Sequence, residues 1–147
     1  MIASVTFYSV VVWVHVLAVV IAFGGLFSYP VVGGALRRAE ALPAFHGTYA
    51  LLWSRVVTPA MAVVLIAGVY LASDADAWSE SWVSVGLVGL IALFAIVGVA
   101  TGWERKAAAL ARAGDAGYEA VAGRLRLAVA AAMALVAIVL FFMLVKP

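Results

Sequence analysis

The amino-acid sequence predicts an all-α fold, a four-helix transmembrane bundle that runs up and down with both termini on the outer side, and three observations carry that expectation. Of 147 residues, 68% are hydrophobic and 11% charged, whereas a water-soluble domain is roughly half apolar and about a quarter charged. Four apolar stretches, about Phe7 to Leu36, Tyr49 to Ala72, Trp82 to Trp103 and Leu125 to Val145, each reach the roughly 20 residues needed to cross about 30 Å of hydrocarbon. The connections between them are short, and their charges are sorted by sign.

Each stretch reads as a helix, because it is too long for a membrane barrel strand and lacks the apolar–polar alternation of one. The first has no basic region before it and runs beyond a signal-peptide core, so it is expected to stay in the mature chain. On it His15, Ala18, Ala22, Gly25 and Tyr29 are spaced by three and four and form one stripe that should face the bundle. Pro30 and Pro59 each remove a backbone hydrogen bond and can kink their helices, the second freeing the carbonyl of Arg55. The third stretch carries Gly86, Gly89, Gly98 and Gly102 and the fourth is rich in alanine from Ala128 to Ala134, faces suited to close helix packing and to a homodimer or a partner membrane subunit. The segment from Glu104 to Gly123 alternates Ala with charges and is expected to prolong the third helix as a solvated extension, turning near Gly114 or Gly117. One domain over residues 1–147 is the natural unit for a chain of this length.

Charge sets the expected orientation. Arg37 and Arg38 fall in the first connection and Arg105, Lys106, Arg112, Arg124 and Arg126 in the third, while the second holds Asp74, Asp76 and Glu80 without a base. The basic connections should face the cytoplasm, in the plasma membrane; Lys146 alone runs against that rule. Tyr8, Tyr70, Trp78 and Trp82 would form the outer aromatic belt and Tyr49, Trp53, Trp103 and Tyr118 the inner one.

Several function classes drop out. The chain has no cysteine, which removes disulfides, iron–sulfur clusters and thiolate metal sites. A net charge of +2 comes from bases beside apolar segments, without the basic, aromatic-interleaved surface that nucleic acid requires; membrane lipid is the expected partner. Phosphate-binding, nucleophile-elbow and metalloprotease motifs are missing from the sequence, so hydrolase chemistry has no support.

Ionisable groups inside a span are costly and mark function by default. His15 and Arg55 are the two that fall clearly inside. His15 lies about 12 Å below the outer surface, where an imidazole serves either as a ligand for haem iron or copper, or as a hydrogen-bonded core histidine joining two helices. Arg55 lies one to two turns inside the inner end of its helix, able to snorkel, to pair with Glu104, or to hold an anionic group of a cofactor. Met61, near mid-membrane, is the geometric companion of His15 for a His–Met haem site, although methionine more often fills core. His46, at the cytoplasmic edge of the second helix, is expected to cap it or touch headgroups. Met143 and the acidic second connection are weaker metal candidates, and four methionines do not make a copper path.

The run from His15 through Gly25, Leu26 and Phe27 to Pro30 resembles the first-helix motif of HemJ-type membrane protoporphyrinogen oxidases. Arg55, Thr58, Pro59, Ala60 and Gly68 are similar to that group's next segment. The wider pattern, with Trp82 opening the third helix and Met143, Lys146 and Pro147 closing the chain, resembles a family of integral membrane proteins of unknown function related to the copper-resistance protein D group. The resemblance implies a redox-related bundle binding haem b, with His15 as an axial ligand, Met61 or an external group opposite, and Arg55 available to a propionate. The pattern departs from the oxidases after Pro30, where Val31, Val32 and Gly33 follow, and at Gly86, which stands where their third helix carries a lysine. Loss of that lysine argues against the oxidase activity itself. A non-enzymatic membrane scaffold or subunit of a larger complex, and more distantly copper transfer, are the competing expectations.

Overall fold

The computed structural model describes residues 6–36 and 40–146; Arg37, Arg38 and Pro147, used above, lie outside the described residues. Four helices, α1 (Phe7–Ala35), α2 (Leu42–Asp74), α3 (Ser81–Ala113) and α4 (Tyr118–Val145), are each long and apolar enough to cross a membrane. No strand occurs among the described residues. The chain is thus an all-α four-helix bundle with the makeup of a polytopic membrane protein, as the apolar stretches predict.

The helices overrun the predicted spans at the connection end. α2 begins at Leu42 rather than Tyr49, with Pro43 in its first turn where a missing N–H costs nothing. α3 continues to Ala113 and α4 starts at Tyr118. Hydropathy marks the part of a helix that needs lipid, and these extra turns are more polar. The α3–α4 turn falls where Gly114 caps α3 in the left-handed region, φ 62°, and Asp115 N–H returns to the Leu110 carbonyl at 3.0 Å. Gly114→Ala should lower stability by about 1–2 kcal/mol, since a Cβ in that conformation meets the following carbonyl oxygen; a thermal melt in mild detergent measures it.

α2 is continuous but not uniform. Over Trp53–Val57 it widens into a π-turn, in which both the N–H and the hydroxyl of Thr58 donate to the Trp53 carbonyl, the latter at 2.8 Å. The expected kink at Pro59 therefore takes the form of a π-turn just before it. Pro59 has no N–H, and its ring would crowd the carbonyl four residues back, so the hydrogen-bond register shifts by one.

This turn sits where α2 changes neighbours. Before it, α2 packs on α3; after it, on α1, while α3 and α4 pack along most of their length. Backbone approach between α1 and α4 is slight by comparison, as is that between α1 and the first part of α2. Large rings fill the latter space, with Tyr29 of α1 against Phe45 and Tyr49 at 5.1 and 4.7 Å between centroids. The core carries Trp53, Met61, Leu93, Leu125 and Val136, all nearly inaccessible, whereas Trp13, Val20, Val31, Ile66, Val88 and Leu144 point outward, as lipid-facing residues should.

At the terminal end Phe7 stacks edge-on with Tyr70 at 5.4 Å, and Lys146 lies over the Trp82 ring at 4.7 Å. That cation–π contact gives the lysine that breaks the charge rule a local partner.

Candidate functional site

The first turns of α2, the extension of α3 and the start of α4 meet at the connection end, and there the structure assembles a buried polar cluster. The buried stripe of α3 runs through Leu93, Val97, Ala100, Thr101, Glu104, Ala107 and Ala108, the spacing of one helix face. Glu104 falls on that stripe and is fully buried. One turn into α2, His46 is 2% exposed and its Nδ1 lies 2.5 Å from Glu104 Oε2. Its Nε2 lies 3.0 Å from the hydroxyl of Tyr118, the first residue of α4. With Nδ1–H donating to the carboxylate, a neutral ring accepts from the tyrosine O–H, so both nitrogens are satisfied. Glu104 Oε1 has no hydrogen-bond partner, and Tyr29 lies close to that carboxylate.

The expectation that His46 caps α2 or meets headgroups is corrected by this geometry, because α2 starts two turns earlier than its apolar stretch and carries the imidazole inward. The pairing of Arg55 with Glu104 is corrected too. α2 and α3 are antiparallel, so the α2 residue level with Glu104 is His46, and Arg55 lies nine residues further on, about 13 Å away. Tyr49 and Trp53 leave the inner aromatic belt: they are 5% and 1% exposed and stack with Tyr29, Trp53 at 5.5 Å. The Trp53 indole N–H has no hydrogen-bond partner.

Above the cluster lies a cavity of about 660 Å³. His46 and Phe45 of α2 line one side of it; Tyr29, Gly33 and Gly34 come from α1, and Tyr118, Arg126 and Met133 from α4. It occupies the gap left because the start of α2 leans on α3 while α1 and α4 stay apart. Besides Tyr29 of α1, its polar groups, His46, Tyr118, Glu119 and Arg126, come from the early turns of α2 and α4, and further along α4 Val129, Ala130 and Met133 are apolar.

The residues singled out from sequence sit elsewhere. His15 is half-buried on α1, with its ring against α2 so closely that a Cβ on Gly68 would stand 3.2 Å from Cε1. Its Nδ1 is buried without a hydrogen-bond partner, near the Val64 backbone. Met61 is fully buried in the core, two turns of α2 from Gly68, or about 10 Å along the axis. Arg55 is exposed, in the π-turn. None of the three lines the cavity. Met143 packs its methyl where a Cβ on Gly86 would be, and no group of three or more His, Cys, Asp or Glu among the described residues could hold a metal ion.

Sequence reasoning passed over Glu104 as a site residue and treated Tyr118 as interface. The available signal was a carboxylate continuing an apolar, small-residue stripe at spacings of three and four, where a solvated helix would place alanine inside and charges outside. No family model, curated protein or solved structure matches the chain.

Proposed function

We propose that this polytopic membrane protein binds haem b in the cavity between α1, α2 and α4 and serves a redox-related role in the plasma membrane, with the cavity end toward the cytoplasm. The observation that carries the reading is His46 in the cavity wall with Glu104 behind it. A carboxylate on the far ring nitrogen is how proteins orient a metal-binding histidine and raise its basicity. The volume lies within the roughly 300–1,000 Å³ usual for small-molecule sites, the walls are largely apolar, and Arg126 offers a fork to a carboxylate. His46 would hold the iron through Nε2, releasing the Tyr118 hydroxyl, and Arg126 would hold a propionate. Bound haem supplies one-electron chemistry at iron, tuned by its axial ligand and the surrounding polarity. His15, whose buried Nδ1 has no partner, is the competing ligand that the first-helix resemblance favours. The bases Arg105, Lys106, Arg112, Arg124 and Arg126 support the cytoplasmic placement of this end.

A second reading, a non-enzymatic scaffold or subunit, is favoured by one specific observation: both His46 nitrogens are already bonded, tying α2, α3 and α4 together. The absorption spectrum of detergent-purified protein made with haem available separates the two. The wild type and His15→Ala are expected to show a Soret band that His46→Ala lacks, with circular dichroism confirming that each variant is folded. A band lost only in His15→Ala moves the iron to α1, and a colourless wild type leaves the scaffold reading.

A further inference from the structure

We propose that the cavity is an amphiphile site open to the bilayer between α1 and α4, selective for a carboxylate head on an apolar body, with Arg126 as its counter-ion. This rests on the cavity reading above and extends it to a ligand class, of which haem is one member.

The cavity wall on α4 runs from Tyr118 to Met133, about 22 Å at 1.5 Å per residue. Counting roughly 20 residues back from Val145 puts Arg126 at the edge of the hydrocarbon. Tyr118 and Glu119 then lie in the headgroup layer, and Val129, Ala130 and Met133 lie in the hydrocarbon. The polar and apolar parts of the wall are thus ordered as the two parts of a membrane-dissolved amphiphile are ordered. The lateral route lies between α1 and α4, which make far less backbone contact over their whole length than α3 and α4 do, so a ligand need not leave the bilayer to reach them. On the α1 side Gly33 packs against the Phe45 ring, 3.1 Å from its Cβ position, while Gly34 has nothing within 4 Å of its own, so that wall is open at Gly34.

Arg126 is poised to exchange partners. Its one ion pair among the described residues is with Glu119, at 3.9 Å, with side chains 62% and 77% exposed. An exposed pair at that distance contributes little, whereas a carboxylate in the guanidinium fork gains two charge-assisted hydrogen bonds. Glu119 lines the cavity as well, and its charge disfavours a head with more than one negative charge. That selects a carboxylate over a phosphate monoester, which carries between one and two charges near neutrality.

The test displaces a fluorescent fatty acid, dansyl-undecanoic acid, from the full chain in nanodiscs, using oleate, oleyl alcohol and lysophosphatidate as competitors. Oleate is expected to compete at least about tenfold more strongly than the alcohol, the size of one charge-assisted hydrogen bond. Arg126→Gln should erase that preference and Glu119→Gln should enlarge it. Arg124→Gln, the same loss of charge on an exposed residue outside the wall, should leave it unchanged. No displaceable binding, equal competition by acid and alcohol, a preference that survives Arg126→Gln, or stronger competition by lysophosphatidate each overturns the proposal. A protein that selects oleate through Arg126 yet stays colourless with haem keeps this inference and loses the haem reading; a haem-binding protein indifferent to Arg126 does the reverse.

Discussion

Replacing His46 with leucine is expected to destabilise the bundle by about 3–5 kcal/mol, because it leaves the Glu104 carboxylate buried and unpaired. Glu104 is wholly inaccessible and its Oε1 already lacks a hydrogen bond, so once Nδ1 is gone only the Tyr29 side chain, close to the carboxylate, is left to offset part of the loss. Glu104→Leu should cost less, since His46 keeps the Tyr118 hydroxyl at Nε2. The double variant His46→Leu/Glu104→Leu should be more stable than His46→Leu alone, as an apolar pair replaces a buried polar one without leaving a charge behind. A double-mutant cycle from thermal unfolding in mild detergent measures this coupling. Additive effects would mean that the two side chains are not paired, and would remove the support that Glu104 gives to His46 at the cavity.

Gly89→Ala is the second large effect. A Cβ there would stand 2.3 Å from Cγ2 of Val139 on α4, and a β-branched side chain on a helix has essentially one χ1 rotamer to occupy. The helices must separate, at a cost of about 1–3 kcal/mol. Val139→Ala in the same chain should recover most of it, which a melt of the pair would register; an unrescued Gly89→Ala would place the strain elsewhere. Gly86→Ala is expected to be milder despite a 2.0 Å approach, because the atom it meets is the terminal methyl of Met143, which can swing aside. Gly98→Ala and Gly102→Ala meet nothing within 4 Å and should raise monomer stability by about 0.5–1 kcal/mol, since alanine is the better helix former. The four glycines of α3 look alike in sequence, yet two seat α4 and two face outward.

His15, Ala18, Ala22 and Tyr29 show how far a periodic pattern reaches. Their spacing correctly names the face of α1 that turns inward, with Ala18, Ala22 and Tyr29 buried, because spacing on one helix is a local property. What that face meets is not local. His15 lies against Gly68, two turns from Met61, since the crossing of α1 over α2 sets which residues share a level. The same holds for Arg55 and Glu104, which both lie near the inner boundary when counted along the chain. They end far apart because α2 extends seven residues before its hydrophobic start and Glu104 meets that extension. Counting along the chain orders residues along a helix; it cannot say which partner stands opposite.

Composition, the four apolar stretches and the glycine-capped turn at Gly114 determined on their own that this chain is an all-α bundle of four membrane-length helices. Those features act through solvent and backbone geometry, which each segment experiences without its neighbours. The tertiary structure decided the site. Only when α2 leans first on α3 and then on α1, through the π-turn at Trp53–Val57, does His46 come to Glu104 and Tyr118 and a cavity open beside Arg126. These contacts join residues 58 and 72 positions apart, and they depend on helix lengths and crossing angles that no single helix encodes.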